Sequence, residues 1–217
     1  KNMVQTLQAS RLNLYDVKSK FHVRQGGADE FFTQLLRNAP ALSDFEKEIL
    51  DRTRQQYLYL AERPLLEVTV KMVTLSPLLS LAGFYEPPFY TTLEESVELV
   101  SQDGAETVRG QIDVLVLQHT IWTVVIEAKS IQYDVMMALP QALTYMISSL
   151  QQFPEKKNLF GMITNGREFR FIKLNGTPEL TYTLSKVFSL SEVENQLYDV
   201  LQILKYLGRL SICGDVA

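Results

Sequence analysis

The chain has 217 residues and a hydrophobic share of 46%, enough to bury a sizeable core. A net charge of -4 excludes a global attraction to nucleic acid, so any contact with phosphates must come from a local basic patch. One cysteine, Cys213, excludes an intrachain disulfide and fits a reducing cytoplasm, as does the lack of a signal-like start; no apolar run is long enough to span a bilayer.

Lys1 and Asn2 ahead of Met3 read as a foreign leader, with Met3 the native start, and Val4 to Asp16 shows no clear period. Apolar residues then recur at three and four from Ala28 to Arg37 and from Ser43 to Arg63. Ser43 and Glu46 form a capping box, and Pro40 separates the two helices. The segment LLEVTVKMVTLSPLLSLAGFY, 65–85, alternates locally like a strand. Pro64 before it, its unbroken apolar run and Gly83 after it favour a helix kinked near Pro77.

Strands follow in TTLEESVELV, TVRGQIDVLVL and IWTVVIEAK, with turns at Gln102–Gly104 and Gln118–Thr120 and with Trp122 in the core. Asp134 to Gln152 is helical, with a kink or restart at Pro140. LFGMITNG and REFRFIKL form a hairpin about Asn165-Gly166. Ser191 and Glu194 cap a last helix whose Val193, Leu197, Val200, Leu201 and Leu204 share a face, and Gly208 closes it. Pro64 is the one plausible junction. It would divide a helical extension, 1–63, from a second unit, 64–217, although the two could form one compact body.

The chemistry lies in the central hairpin, GQIDVLVLQHTIWTVVIEAKS. Turning about Thr120, it sets Asp113 opposite Glu127, and the period of two puts Lys129 on the same face. Two carboxylates on a sheet with apolar flanks are hard oxygen ligands of the kind Mg2+ or Mn2+ prefers. A nearby ammonium could orient water or stabilise a phosphorane-like transition state, so the trio suffices for hydrolytic phosphoryl transfer. A rival pattern, Asp134 with Glu155-Lys-Lys157, falls around a helix end and a loop, where a solvated charge run is the better reading.

These residues resemble the PD-(D/E)xK restriction-endonuclease-like superfamily, nearest to the N-terminal nuclease domain of type I restriction enzyme R subunits. Gln141-Ala-Leu-Thr-Tyr145 resembles the Q-x-x-x-Y motif of that domain and of RecB-like nucleases. ITNGREFRFIKL is similar to its following strand-turn-strand, so the likeness covers roughly 64–174. Ile112 stands where the motif's name has Pro, and Pro140 directly precedes Gln141. The resemblance implies an α/β fold with a restriction-endonuclease-like core, α-β-β-β-α-β, a mixed sheet flanked by helices, plus an N-terminal helical extension and a C-terminal helix. It further implies a Mg2+- or Mn2+-dependent nuclease acting on nucleic acid, DNA above all. Asp113 and Glu127 would be metal ligands and Lys129 would position water or stabilise charge. Gln141 and Tyr145 would support them, and Glu67 would be the first-helix acid, with Glu62 as competitor.

No G-x-x-x-x-G-K-[ST] occurs, so no ATP is expected. Arg167, Arg170 and Lys173 alternate along one strand, and with Arg109, Lys156 and Lys157 could supply the local phosphate-binding surface. A solvated strand face is the plainer alternative. His22 and His119 suggest neither a triad nor a zinc site. Phe84, Tyr85, Phe89 and Tyr90 could stack on bases but fit core packing better. Two rivals to the nuclease stay open. One is a catalytically inactive nucleic-acid- or protein-binding module of the same fold, and the other an interaction protein whose hairpin charges only form an ion pair. A homodimer would suit cleavage of both strands of a duplex.

Overall fold

The structure is a computed structural model that describes residues 5–27, 30–100, 106–118 and 121–213. The expected turn at Gln102–Gly104, residues 119–120 of the turn expected at Gln118–Thr120, and the side chain of Trp122 lie outside what is described.

The alternating segments build a mixed sheet of β1 (Gln5–Gln8), β2 (Arg24–Gln25), β3 (Phe89–Val100), β4 (Glu106–Gln118), β5 (Ile121–Ala128), β6 (Asn158–Thr164), β7 (Glu168–Asn175), β8 (Thr181–Leu184) and β9 (Phe188–Ser189). Their order is β1-β4-β5-β6-β7-β8-β2, with β3 also on β4 and β9 also on β7. β3, β4 and β5 form the expected antiparallel meander. β5 and β6 are parallel and joined through α6 (Leu139–Gln152), and β6 turns into β7 at Asn165-Gly166. In that turn the Asn165 carboxamide oxygen accepts from the Arg167 and Glu168 N–H groups, while Gly166 takes a φ of 83°. The α-β-β-β-α-β order read from the sequence is thus present.

Helices cover both faces. α2 (Phe31–Arg37), α3 (Asp44–Leu60), α5 (Ser76–Leu81) and α7 (Leu197–Cys213) pack on Val114, Val116, Val124 and Ile126. α1 (Leu14–Phe21) and α6 pack on Leu115, Val125, Ile163 and Ile172. Strand alternation therefore assigns Val124 and Ile126 to one layer and Val125 to the other, and Glu127 shares the face of Val125. The capping box of α3 forms as expected: Glu46 N–H donates to Ser43 Oγ, and the Glu46 carboxylate accepts from Ser43 N–H.

Several expectations change. The first 63 residues are more than a helical extension, because β1 pairs parallel with β4 and β2 parallel with β8; short edge strands of polar composition carry little periodic signal. The 65–85 segment is helical, running through α4 (Glu67–Val70), a π-helical turn (Lys71–Leu75) and α5. The π turn precedes Pro77, which has no N–H to give the helix, and Ser76 N–H bonds five residues back to the Lys71 carbonyl. Pro140 marks a restart: a 3-10 turn (Val135–Ala138) leads into α6, where proline sits in the first turn.

Ser191 and Glu194 do not cap the last helix. Asn195 accepts from Leu197 N–H instead, and Val193 is exposed. Gly208 does not end α7 either, since a Cβ there would stand 2.9 Å from Phe84 Cε1 and 3.4 Å from Phe89 Cζ. It lets the helix approach buried Phe84 and half-buried Phe89, whose ring centroids are 5.1 Å apart, so these two pack while Tyr85 and Tyr90 remain exposed. Gly208→Val should therefore overpack this contact and cost about 1–3 kcal/mol in urea unfolding.

Candidate active site

The site grows from a fork in the sheet. β3 runs along one edge of β4. On the other edge β1 pairs residues 106–109 and β5 pairs residues 114–118, so among the described residues 110–113 has no strand partner there. The pairing of Val114 with Ile126 is the last register pair before the fork. Just past it, carboxylates replace the ladder. Glu127 Oε1 accepts from Asp113 N–H at 3.3 Å, and Asp113 Oδ2 accepts from Ala128 N–H at 2.8 Å. The expected face-sharing of Asp113 and Glu127 is therefore a reciprocal exchange between each acid and the other strand's backbone.

Lys129 joins them from the same strand end. Its Nζ donates to Gln141 Oε1 at 3.2 Å and lies 4.0 Å from Glu127 Oε2. Gln141 Nε2 donates to the Tyr145 hydroxyl at 3.0 Å, and that hydroxyl donates to the Gln111 carbonyl at 3.0 Å. Gln141 and Tyr145 are one turn apart on α6, so the helix holds Lys129 from one side while β4 anchors the far end of the chain of bonds. Gly110 makes room for this: a Cβ there would lie 2.3 Å from the Tyr145 hydroxyl oxygen. A glycine inside a strand marks such a close approach, a signal that the sequence reading did not use.

The helix before the meander adds two more groups. Glu67, not the exposed Glu62, reaches the fork from the first turn of α4. Lys71 was not anticipated. Its Nζ lies 3.1 Å from Glu67 Oε1 and 3.1 Å from Asp113 Oδ1. Its spacing of four from Glu67 was the available signal, hidden by the strand-like alternation of the segment. Glu94 was also missed. The flanking pairs Leu93–Val114 and Glu95–Ile112 set it opposite Asp113 across the β3–β4 ladder, with a φ of 54° in the left-handed region.

Glu67, Lys71, Glu94, Asp113, Lys129, Gln141 and Tyr145 line a cleft of about 830 Å3, together with Gln8, Ser10, Glu98 and Arg109, while Glu127 is fully buried. Burial first, and then the charge of Asp113, raise the Glu127 carboxyl well above the usual carboxylate range; Lys129 offsets this only in part. Burial and Asp113 also raise Glu67. Burial pulls the Lys71 ammonium down, but Asp113 and Glu67 outweigh it and leave it above its ordinary value. Burial pushes the Tyr145 hydroxyl up, which keeps it a neutral donor.

Of the basic candidates, Arg109 lines the cleft, its Nε 2.9 Å from Glu98. The others are elsewhere and do not form one patch. Arg170 contacts Met136 and the Ser185 carbonyl, whereas Lys173 lies over the Phe31 ring at 4.7 Å, in the opposite layer. Three-residue spacing in a strand sends side chains to opposite faces, which corrects the reading of an alternating row. Arg167 is exposed beside Tyr57, and Lys157 is exposed in the loop before β6. Lys156 lines a separate pocket with Phe21 and Leu180, where burial lowers its ammonium to about 8. In the rival pattern, Asp134 only caps the 3-10 turn through Met136 N–H.

A divalent cation fits the donor chemistry at the fork. Asp113 and Glu127 are hard oxygen ligands, and buried Glu127 Oε2 has no hydrogen-bond partner, a cost that a cation would remove. Among the described residues no group of three His, Cys, Asp or Glu side chains could hold a metal by itself, so water and substrate oxygens would complete the shell.

Comparison with known proteins identifies the surroundings of this site. The family model of the type I restriction enzyme R protein N terminus matches residues 15–180, which include every residue at the fork. The chain belongs to this family. Its fold is the restriction-endonuclease-like α/β core expected from the motif order. Among solved structures it is similar to a fragment of a putative HsdR subunit of a type I restriction enzyme from Vibrio vulnificus YJ016, with 22% identity and a TM-score of 0.39. That match covers 62% of this chain and 25% of the Vibrio chain. No curated protein matches the sequence. No helix among the described residues of this R-protein N-terminal domain is long and apolar enough to cross a membrane.

The raised Glu127 carboxyl has a signed consequence. A carboxyl whose pKa is higher in the folded state contributes stability below its unfolded pKa and loses it as pH rises through the folded value. Glu127→Gln, neutral at every pH, should match the parent near pH 4 and exceed it in stability at neutral pH, measured by urea unfolding in EDTA. Gly110→Ala should displace Tyr145 and destabilise the domain by about 1–3 kcal/mol in the same assay.

Proposed function

We propose that this domain is a metal-dependent nuclease that hydrolyses phosphodiester bonds of DNA. The observation that carries the reading is the buried Glu127 Oε2, which has no hydrogen bond and lies beside Asp113 and 4.0 Å from the Lys129 ammonium at the fork. A buried carboxylate oxygen without a hydrogen bond is costly, and groups of this kind cluster at functional sites. Asp113 and Glu127 would hold Mg2+ or Mn2+, which when bound polarises a phosphate oxygen and activates water.

The remaining work belongs to the chain. Lys129 presents its ammonium to the attacking water or to charge building on the phosphoryl oxygens, and its bond to Gln141 fixes that position. Tyr145, tied to the Gln111 carbonyl, keeps Gln141 from rotating away. Glu67 lines the same cleft and is placed to orient water. The net reaction joins water to phosphorus and releases one ester oxygen as a hydroxyl, and nothing in it consumes ATP. Membership among R-protein N termini supports DNA as substrate and assembly with other subunits as the setting, in a cytoplasmic enzyme. A homodimer is the arrangement that would let two such sites cut a duplex.

A second reading, a non-catalytic binding module of the same fold, is favoured by the acidic rim: Glu94 and Glu98 line the cleft, and Glu98 engages Arg109. Plasmid and single-stranded DNA incubated with the purified chain and Mg2+ or Mn2+ separate the two. The nuclease should cut at least one, and Glu127→Ala and Lys129→Ala should each lose about 10²–10³-fold in rate while keeping the parental circular dichroism. Cleavage unchanged in Glu127→Ala sinks the assignment, and metal-independent DNA binding without cleavage favours the module.

A further inference from the structure

Lys71 is the cation at the fork that the proposed chemistry leaves unused. Its side chain is only 18% exposed, and its ammonium bridges Asp113 Oδ1 and Glu67 Oε1 at 3.1 Å each. The other oxygen of Asp113 is committed to Ala128 N–H, so Oδ1 is the atom through which Asp113 can serve a cation. Lys71 already holds it. The π-helical turn begins at this residue, so a local departure from regular helix accompanies the contact.

We infer that Lys71 is a resident counter-cation of the acidic centre, and that a divalent ion binds in exchange for it. The inference rests on the reading that Asp113 and Glu127 hold such an ion. With Glu67, Asp113 and Glu127 ionised, the ammonium groups of Lys71 and Lys129 offset two of the three charges. A divalent ion added with both lysines in place would put an ammonium and a double charge on one oxygen, a repulsion well above thermal energy in a part-buried cleft. The ammonium has somewhere to go, because Glu67 is its i,i+4 partner on the same helix and keeps hold of it as it leaves Asp113. Metal affinity is therefore set by competition within the chain, and the displaced ammonium is left at the rim, where a substrate phosphate would meet it.

Calorimetric titration of the full chain with Mn2+ tests this, comparing the parent with Lys71→Gln and Lys71→Arg. Removing the competing charge should tighten Mn2+ binding by about tenfold or more in Lys71→Gln, while Lys71→Arg, which keeps the charge, should stay close to the parent. Binding in folded Lys71→Gln that is equal to or weaker than the parent's overturns the exchange. Lysine side-chain NMR of the parent needs no variant to fold beyond the one used for assignment: the Lys71 ammonium signal should move on adding Mg2+. A signal unmoved at saturation also overturns the idea. If neither parent nor variants bind Mn2+, the metal reading falls and takes this inference with it, an outcome distinct from binding that ignores Lys71.

Discussion

Everything at this site depends on how two strands part. After Val114 and Ile126 the ladder between β4 and β5 stops, and Asp113 and Glu127 each take over a backbone N–H of the opposite strand. Two acids are thereby drawn into a region where burial disfavours their charge, because the alternative is two unsatisfied N–H groups beside the core. The bonds fix both carboxylates on the sheet and occupy one oxygen of each. Asp113 Oδ1 and Glu127 Oε2 are the oxygens left over, and they define the candidate cation site.

The helices act as supports for that fork. α6 is buried along most of its length and supplies Gln141 and Tyr145, so the position of Lys129 is set by a packed helix and not by a mobile side chain alone. α4 approaches from the other layer and brings a carboxylate and an ammonium one turn apart. Read as sequence, Pro77 interrupts this helix, yet the π turn absorbs the missing N–H upstream and leaves the N-terminal turn aimed at Asp113. Gly110 has the same character: its missing side chain is what permits Tyr145 to reach the strand.

The polar cluster is costly as a structural element. Raised carboxyl groups at Glu67 and Glu127 and an orphaned buried oxygen are features that a purely structural ion pair would avoid. They lie within the span matched by the type I restriction R-protein N-terminal family, and Glu67 lines the cleft. The basic residues tell the opposite story. Except for Arg109 they are spread over other surfaces or packed on aromatic rings, so a phosphate-binding face cannot be assembled from that strand.

The sequence by itself determined the meander, the Asn165-Gly166 turn, the α3 capping box and the shared face of Asp113, Glu127 and Lys129, because period-two alternation and turn chemistry are local and survive without the fold. It also carried the spacing that makes Gln141 and Tyr145 neighbours on a helix. Only the tertiary structure decided that Lys71 joins Asp113, that Glu94 stands across from it, that Asn195 caps α7, and that β1 and β2 complete the sheet. Those facts depend on which elements meet in space. A helix docking at a fork in a sheet has no periodic signature, so a lysine that looked like one more residue of an alternating run became the closest cation to the proposed catalytic acids.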